Sequence, residues 1–166
     1  MGYKEQMKIA VYPGSFDPIT QGHVSIINGG LVAFDKVIVG VLSNPKKTAL
    51  FSAEERMDMI REVFIDEDRV EVDAFEGLLV NFVRHKGSRV ILRGLRAVAD
   101  FEYELQMANM NRKLSEDIET IFIMANDAYF YVASGLVKEV AKLGGDISSL
   151  VPNVVHQRLL AKLSTR

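Results

Sequence analysis

The sequence predicts an α/β fold: a single doubly wound sheet of five parallel strands, followed by C-terminal helices. Three observations predict it. Apolar runs of strand length alternate with longer amphipathic stretches along the chain. Several runs, such as Val37-Ile38-Val39 and Ile121-Phe122-Ile123, are apolar at every position, as suits strands covered on both faces. The strand–helix–strand alternation recurs four times, which calls for right-handed crossovers between parallel strands. With 166 residues, 48% of them hydrophobic, the chain suits one domain spanning residues 1–166 with a substantial core.

The strands are expected at Lys8–Tyr12, Lys36–Leu42, Arg69–Ala74, Arg89–Leu92 and Thr120–Met124. A first helix opens near Gly22-His23. Its Asn28-Gly29-Gly30 triplet costs about 1 kcal/mol per glycine against alanine, and either close packing or a kink would account for it. The next helix starts at Ser52, where Glu55 completes a capping box and Met57, Ile60 and Phe64 recur at helical spacing. A third spans about Leu78–Lys86 and stops at Gly87, a suitable C-cap. Longer amphipathic stretches follow at Val98–Leu114 and Ser134–Leu143. The last runs from Pro152 to Leu163, with proline in its first turn.

Composition narrows the function classes. A net charge of −2 offers no basic stripe for a nucleic acid. The absence of cysteine removes disulfides, thiolate metal sites and cysteine nucleophiles. His23, His85 and His156 match no zinc spacing, so no metal site made of protein side chains is expected. No apolar run approaches the roughly 18–20 residues needed to span a bilayer, and the polar Met1–Lys8 segment is unlike a signal peptide. A cytoplasmic location without membrane partners is the expectation.

Open parallel sheets bind ligands beyond the C-terminal ends of their strands, so chemistry is sought at 13–21, 43–51, 75–77, 93–97 and 125–133. The first of these holds two prolines and leads through Gly22 into a helix whose free N–H groups suit a phosphate. His23 in the first helical turn adds a possible donor to a developing oxyanion. A lone surface histidine would read otherwise, but the surrounding Gly, Pro and Ser pattern favours the site. Neither a Gly-x-x-x-x-Gly-Lys-Ser/Thr loop nor a Gly-x-Gly-x-x-Gly turn occurs, which weighs against kinase-type transfer and nicotinamide redox chemistry.

Lys46 and Lys47 follow the second strand and read equally as anion ligands or as a solvated loop. Arg93-Gly94-Leu95-Arg96 follows the fourth, and arginine forks match phosphate oxygens. Ion pairing of Arg96 with acids on the next helix is compatible with that role. Tyr129 to Gly135 lead into another helix N-terminus, their aromatic side chains serving ligand or packing equally well. The segments at 78–82 and 107–111 read mainly as helix core. Ser15 has no partner of a covalent triad, which leaves direct in-line transfer between two bound phosphates.

The stretch Pro13-Gly14-Ser15-Phe16-Asp17-Pro18-Ile19-Thr20-Gln21-Gly22-His23 resembles the Thr/His-x-Gly-His signature of the nucleotidylyltransferase superfamily, with its Rossmann-like fold. Leu92-Arg93-Gly94-Leu95-Arg96-Ala97-Val98-Ala99-Asp100-Phe101-Glu102-Tyr103-Glu104 is more specific and resembles the phosphopantetheine adenylyltransferase family of bacterial coenzyme A synthesis. The likeness extends over essentially the whole chain, including Phe51–Arg56 and Leu136–Val140.

That resemblance implies reversible adenylyl transfer from ATP to 4′-phosphopantetheine, giving dephospho-CoA and pyrophosphate, with Mg2+ accompanying ATP and a homohexameric assembly. It implies that His23 stabilises charge on the α-phosphate, that Ser15 contacts both substrates, and that Lys47 and Arg93 orient the attacking phosphate. Leu79 would line the pantetheine arm. Phe16, Gly94, Leu95, Arg96, Glu104 and the run Tyr129, Phe130, Tyr131, Val132, Ala133, Ser134, Gly135 would hold ATP. Where the superfamily has Ile-Ser-Ser-Ser/Thr, this chain has Val132-Ala133-Ser134-Gly135, two hydroxyls fewer, and serine stands at 15 where threonine is common. The rivals are transfer to another acceptor, such as nicotinamide mononucleotide or glycerol phosphate, and a nucleotide-binding regulatory module without catalysis.

Overall fold

Five strands, β1 (Ile9–Gly14), β2 (Lys36–Leu42), β3 (Val70–Phe75), β4 (Val90–Leu95) and β5 (Glu119–Met124), pair in parallel in the order β3-β2-β1-β4-β5. Six helices follow or separate them: α1 (Gln21–Ala33), α2 (Ala53–Val63), α3 (Leu79–His85), α4 (Val98–Leu114), α5 (Ser134–Lys142) and α6 (Asn153–Ser164). The computed structural model describes residues 7–43, 48–95 and 98–164. The strand order runs outward from β1 to β3 and then restarts on the other side with β4. The sheet is therefore doubly wound, as expected, with its switch point between β1 and β4.

Because side chains alternate across a strand, the central strands feed two cores. Ala10, Tyr12, Val37, Val39, Val41 and Leu92 join the buried faces of α1, α2, α5 and α6. Val11, Ile38 and Ile91 face the other way and meet Val80, Phe82 and Val83 of α3. The fourth helix packs beside α3 against β4 and β5. Two helix starts are locked by reciprocal capping. Ser52 Oγ accepts from Glu55 N at 3.1 Å while the Glu55 carboxylate accepts from Ser52 N at 2.7 Å, the capping box read from the sequence. The last helix begins at Asn153, so Pro152 precedes its first residue.

The glycine pair in α1 is explained by close packing. A Cβ on Gly30 would lie 2.7 Å from Leu92 Cδ2 and 3.1 Å from Val37 Cγ2, and one on Gly29 would meet Ile123 at 3.0 Å. The helix thus lies down on the sheet at a distance where an alanine methyl would have to displace the Leu92 and Ile123 side chains. Gly30→Ala should gain about 1 kcal/mol of helix propensity but lose about 1–3 kcal/mol to overpacking. A net destabilisation of about 1 kcal/mol is expected in urea unfolding. A gain in stability would show that Leu92 yields freely.

Two strands run two or more residues past their expected ends, and β3 runs one past, to Phe75. The first continues through Pro13 and Gly14, which pair with Gly40 and Val41. The fourth continues through Arg93, Gly94 and Leu95, which pair with Phe122, Ile123 and Met124. Arg93 ends the apolar run in the sequence, yet its ion pair across to α4 lets the backbone stay in the sheet. Gly94 admits Ile26 of α1, whose side chain would lie 2.8 Å from an added Cβ.

Candidate active site

The ladder between β1 and β4 joins only Ala10 to Val90 and Val11 to Ile91. Beyond it Pro13 has no N–H to offer, and the gap is bridged by Arg93, whose guanidinium donates to Pro13 O at 2.8 Å. A cavity of about 430 Å³ opens here, at the switch point of the sheet. Ser15, Phe16, His23, Arg93, Gly94 and Val132 line it together, and so does Glu104. His23 and Arg93, 70 residues apart in sequence, therefore face one space.

The imidazole is oriented by its own helix start. Thr20 is the N-cap of α1, and its side chain accepts from His23 N at 3.4 Å. In return, Thr20 N donates to His23 Nδ1 at 3.0 Å, so histidine occupies the place of glutamate in a capping box. A backbone N–H can only donate, hence Nδ1 is an acceptor there and the proton of the neutral ring lies on Nε2. The ring meets Phe16 edge-on at 5.0 Å. Gly22 packs closely beside it: a Cβ there would come within 3.2 Å of Val132 O and 3.4 Å of Tyr129 O. The loop before α5 is thereby seated on the start of α1.

Arg93 Nε donates to Glu104 at 2.8 Å, and a terminal nitrogen takes the other carboxylate oxygen. Burial works against the charge, but the bond and attraction to Glu104 outweigh it and hold the guanidinium above its ordinary pKa. With Pro13 included, three of its five N–H groups are used. Glu104 of α4 is thus paired with Arg93. Lys47 and Arg96, together with Lys46, lie outside the described residues.

A second cavity, about 470 Å³, shares Pro13, Gly14, Ser15, Arg93, Tyr103 and Glu104 with the first. Its other walls are largely apolar: Leu78 and Leu79 at the start of α3, and Met107, Ala108 and Met110 of α4, with Asn111 beside them. Of the two segments read from sequence mainly as helix core, Val80 and Phe82 are core, while Leu78, Leu79 and the 107–111 stretch supply sides of this groove. The groove forms only when α3 and α4 lie side by side, which no local pattern announces. Tyr103, which lines both cavities, is likewise not singled out by the sequence.

Of the run before α5, only Val132 reaches the first cavity. The Ser134 hydroxyl donates to Pro18 O at 2.7 Å, and the side chain borders a third, smaller cavity of about 230 Å³. Phe130 and Tyr131 are about half exposed and pair edge-to-face at 5.5 Å. These two, with Tyr129, Ala133, Gly135 and Leu95, lie outside the walls of the three cavities.

The loop carrying Ser15 is anchored by Asp17, which is 6% exposed. Its carboxylate accepts from Leu50 N at 3.0 Å and Phe51 N at 2.9 Å and pairs with Lys138 of α5. Burial pushes the carboxyl up, but the Lys138 ammonium and the two N–H groups prevail and hold it below its ordinary value of 3.8. A depressed carboxylate stabilises the fold above the unfolded-state pKa and stops doing so as pH falls through the folded-state value. Asp17→Asn leaves Lys138 unpaired and should cost about 2–4 kcal/mol near neutral pH. That difference should shrink as pH falls below about 4. Denaturation of both proteins across this range checks it, and parallel curves would contradict the assignment.

Comparison with known proteins falls on the same part of the chain. A family model described as cytidylyltransferase-like matches residues 11–140, from β1 into α5, and places the chain in that class. A phosphopantetheine adenylyltransferase of Desulfosudis oleivorans is 54% identical over 157 residues, covering 95% of this chain and 94% of the relative. One from Geotalea daltonii is 56% identical over 158 residues, covering 95% and 98%. The chain belongs to the phosphopantetheine adenylyltransferase family and is a nucleotidyltransferase. The fold is shared more widely. A Vibrio parahaemolyticus crystal structure, provisionally named a nicotinate-nucleotide adenylyltransferase, superposes with a TM-score of 0.70 at 18% identity over 95% of each chain.

Proposed function

We propose that this chain transfers the adenylyl group of ATP to 4′-phosphopantetheine, reversibly and by direct in-line displacement. A phosphate oxygen of the acceptor bonds to the α-phosphorus of ATP, the bond to the β-phosphate oxygen breaks, and pyrophosphate leaves with dephospho-CoA remaining. The observation that carries the reading is the continuity of the two cavities. A polar space with His23 and Arg93 adjoins a largely apolar groove, and Ser15, Arg93 and Glu104 belong to both.

In this reading the Nε2–H of His23 stabilises charge growing on the α-phosphate. Arg93 and Lys47 orient the acceptor phosphate, with Ser15 at the junction of the substrates and Leu79 along the pantetheine arm. Phe16, Gly94, Leu95, Arg96 and residues 129–135 hold ATP. Glu104 acts there through Arg93, holding its guanidinium fork in place. Mg2+ is proposed to arrive with ATP and offset the charge of its phosphates. Among the described residues no three His, Cys, Asp or Glu side chains gather as a metal set.

The homohexamer is proposed on the resemblance and on exposed apolar side chains. Leu105 on α4 and Ile121 and Met124 on edge strand β5 are exposed in the single chain. One nucleotidylyltransferase domain over residues 1–166 and a cytoplasmic location complete the reading. Among the described residues no helix is long and apolar enough to cross a membrane.

Pyrophosphate release from ATP and magnesium across a panel of acceptors tests the function. Turnover is expected with 4′-phosphopantetheine, and background rates with nicotinamide mononucleotide and glycerol phosphate. ATP binding without pyrophosphate from any acceptor would overturn the reading in favour of a regulatory module.

A further inference from the structure

Arg56 lies on α2, outside the two cavities just described, and is 6% exposed. Its guanidinium is spent on backbone carbonyls from three places. Nε donates to Ser52 O at 3.2 Å, and one terminal nitrogen donates to Ser15 O at 2.6 Å and Leu42 O at 3.1 Å. Among the described residues no carboxylate pairs with it. Burying a guanidinium without a counter-ion is costly, and two of its carbonyl partners here belong to a loop and a strand end that border the site. Ser15 lines both cavities and Leu42 lines the second.

The Ser15 carbonyl shares a peptide plane with the Phe16 N–H. In a trans peptide the two point in opposite directions, so whatever holds the carbonyl also aims the N–H. Among the described residues no acceptor takes the Phe16 N–H. Phe16 has φ of 47°, in the left-handed region that a bulky residue seldom adopts. The loop therefore needs an external hold to keep this conformation.

We propose that Arg56 is a positioning residue for the transfer reaction. By gripping the Ser15 and Leu42 carbonyls it fixes the Ser15–Phe16 peptide, and with it a backbone donor, against the end of β2. The proposal rests on the adenylyl-transfer reading. The third cavity borders Arg56 itself together with Ser15, Leu42, Ser134 and the Asp17–Lys138 ion pair.

The test is pyrophosphate release by wild type, Arg56→Ala and Arg56→Lys with ATP and 4′-phosphopantetheine, scaled to the folded fraction measured by circular dichroism. Misplacement of a reacting group by about 1 Å costs on the order of 10²-fold, so a kcat loss of about 10–100-fold is expected for Arg56→Ala, with KM values within about threefold. Guanidinium chloride at low millimolar concentration should restore part of that turnover and leave wild type unchanged. Arg56→Lys, which keeps the charge, should also lose kcat, because one ammonium cannot reproduce the planar fork. Wild-type kcat per folded molecule in Arg56→Lys, or in Arg56→Ala, would overturn the proposal alone. A wild-type protein that forms no pyrophosphate would overturn the functional reading and this proposal with it.

Discussion

His23→Ala is expected to lower turnover by about 10²–10³ while leaving ATP affinity within a few-fold of wild type. The reason is the hydrogen-bond arrangement at the start of α1. With Nδ1 accepting from Thr20 N, the ring's proton resides on Nε2, on a side chain that borders the cavity. A donor that meets charge only as the phosphorus is attacked contributes to kcat and little to ground-state binding. The substitution also removes half of a capping box, worth about 1 kcal/mol, which thermal unfolding will separate from the catalytic loss. Initial rates together with calorimetric titration of ATP decide the matter. Near-normal turnover would remove His23 from the mechanism, and lost ATP binding would make it a ground-state ligand instead.

Arg93→Ala is expected to do two kinds of damage that a second substitution can divide. Glu104 is 8% exposed, and losing its partner leaves a buried carboxylate without a counter-ion. Breaking such a pair costs about 3–5 kcal/mol. Replacing Glu104 by alanine as well removes the stranded charge and should recover part of that stability. Turnover should not recover, because the guanidinium that borders both cavities is still missing. Urea unfolding and pyrophosphate release on the two single variants and the double variant form the cycle. Recovery of turnover along with stability would mean that Arg93 serves the fold only.

Local patterns proved readable in this sequence. The fourth helix spans Val98–Leu114 as its amphipathic pattern indicates, β2 has its expected bounds, and the Ser52–Glu55 capping box forms. Each depends on groups within a few residues of one another, so periodicity and capping chemistry suffice. The ends of β1 and β4 were not readable, since Pro13 and Arg93 break the apolar pattern while distant partners keep both strands extended. Asp17 and Arg56 belong to recognisable motifs, yet nothing local says what they do. Asp17 meets Lys138 across 121 residues and Arg56 meets Ser15 across 41.

Taken by itself, the sequence determined the class of fold, the strand ends where ligands would gather and the residues of the two family motifs. It could do so because hydrophobic period and turn chemistry are properties of short stretches of chain. Tertiary structure alone decided that Arg93 pairs with Glu104, that α3 and α4 enclose a groove beside the histidine cavity, and that α1 needs glycine where it lies on β4. Those outcomes depend on which surfaces meet when the sheet is wound. Contacts between residues tens of positions apart are set by packing and charge burial across the whole fold.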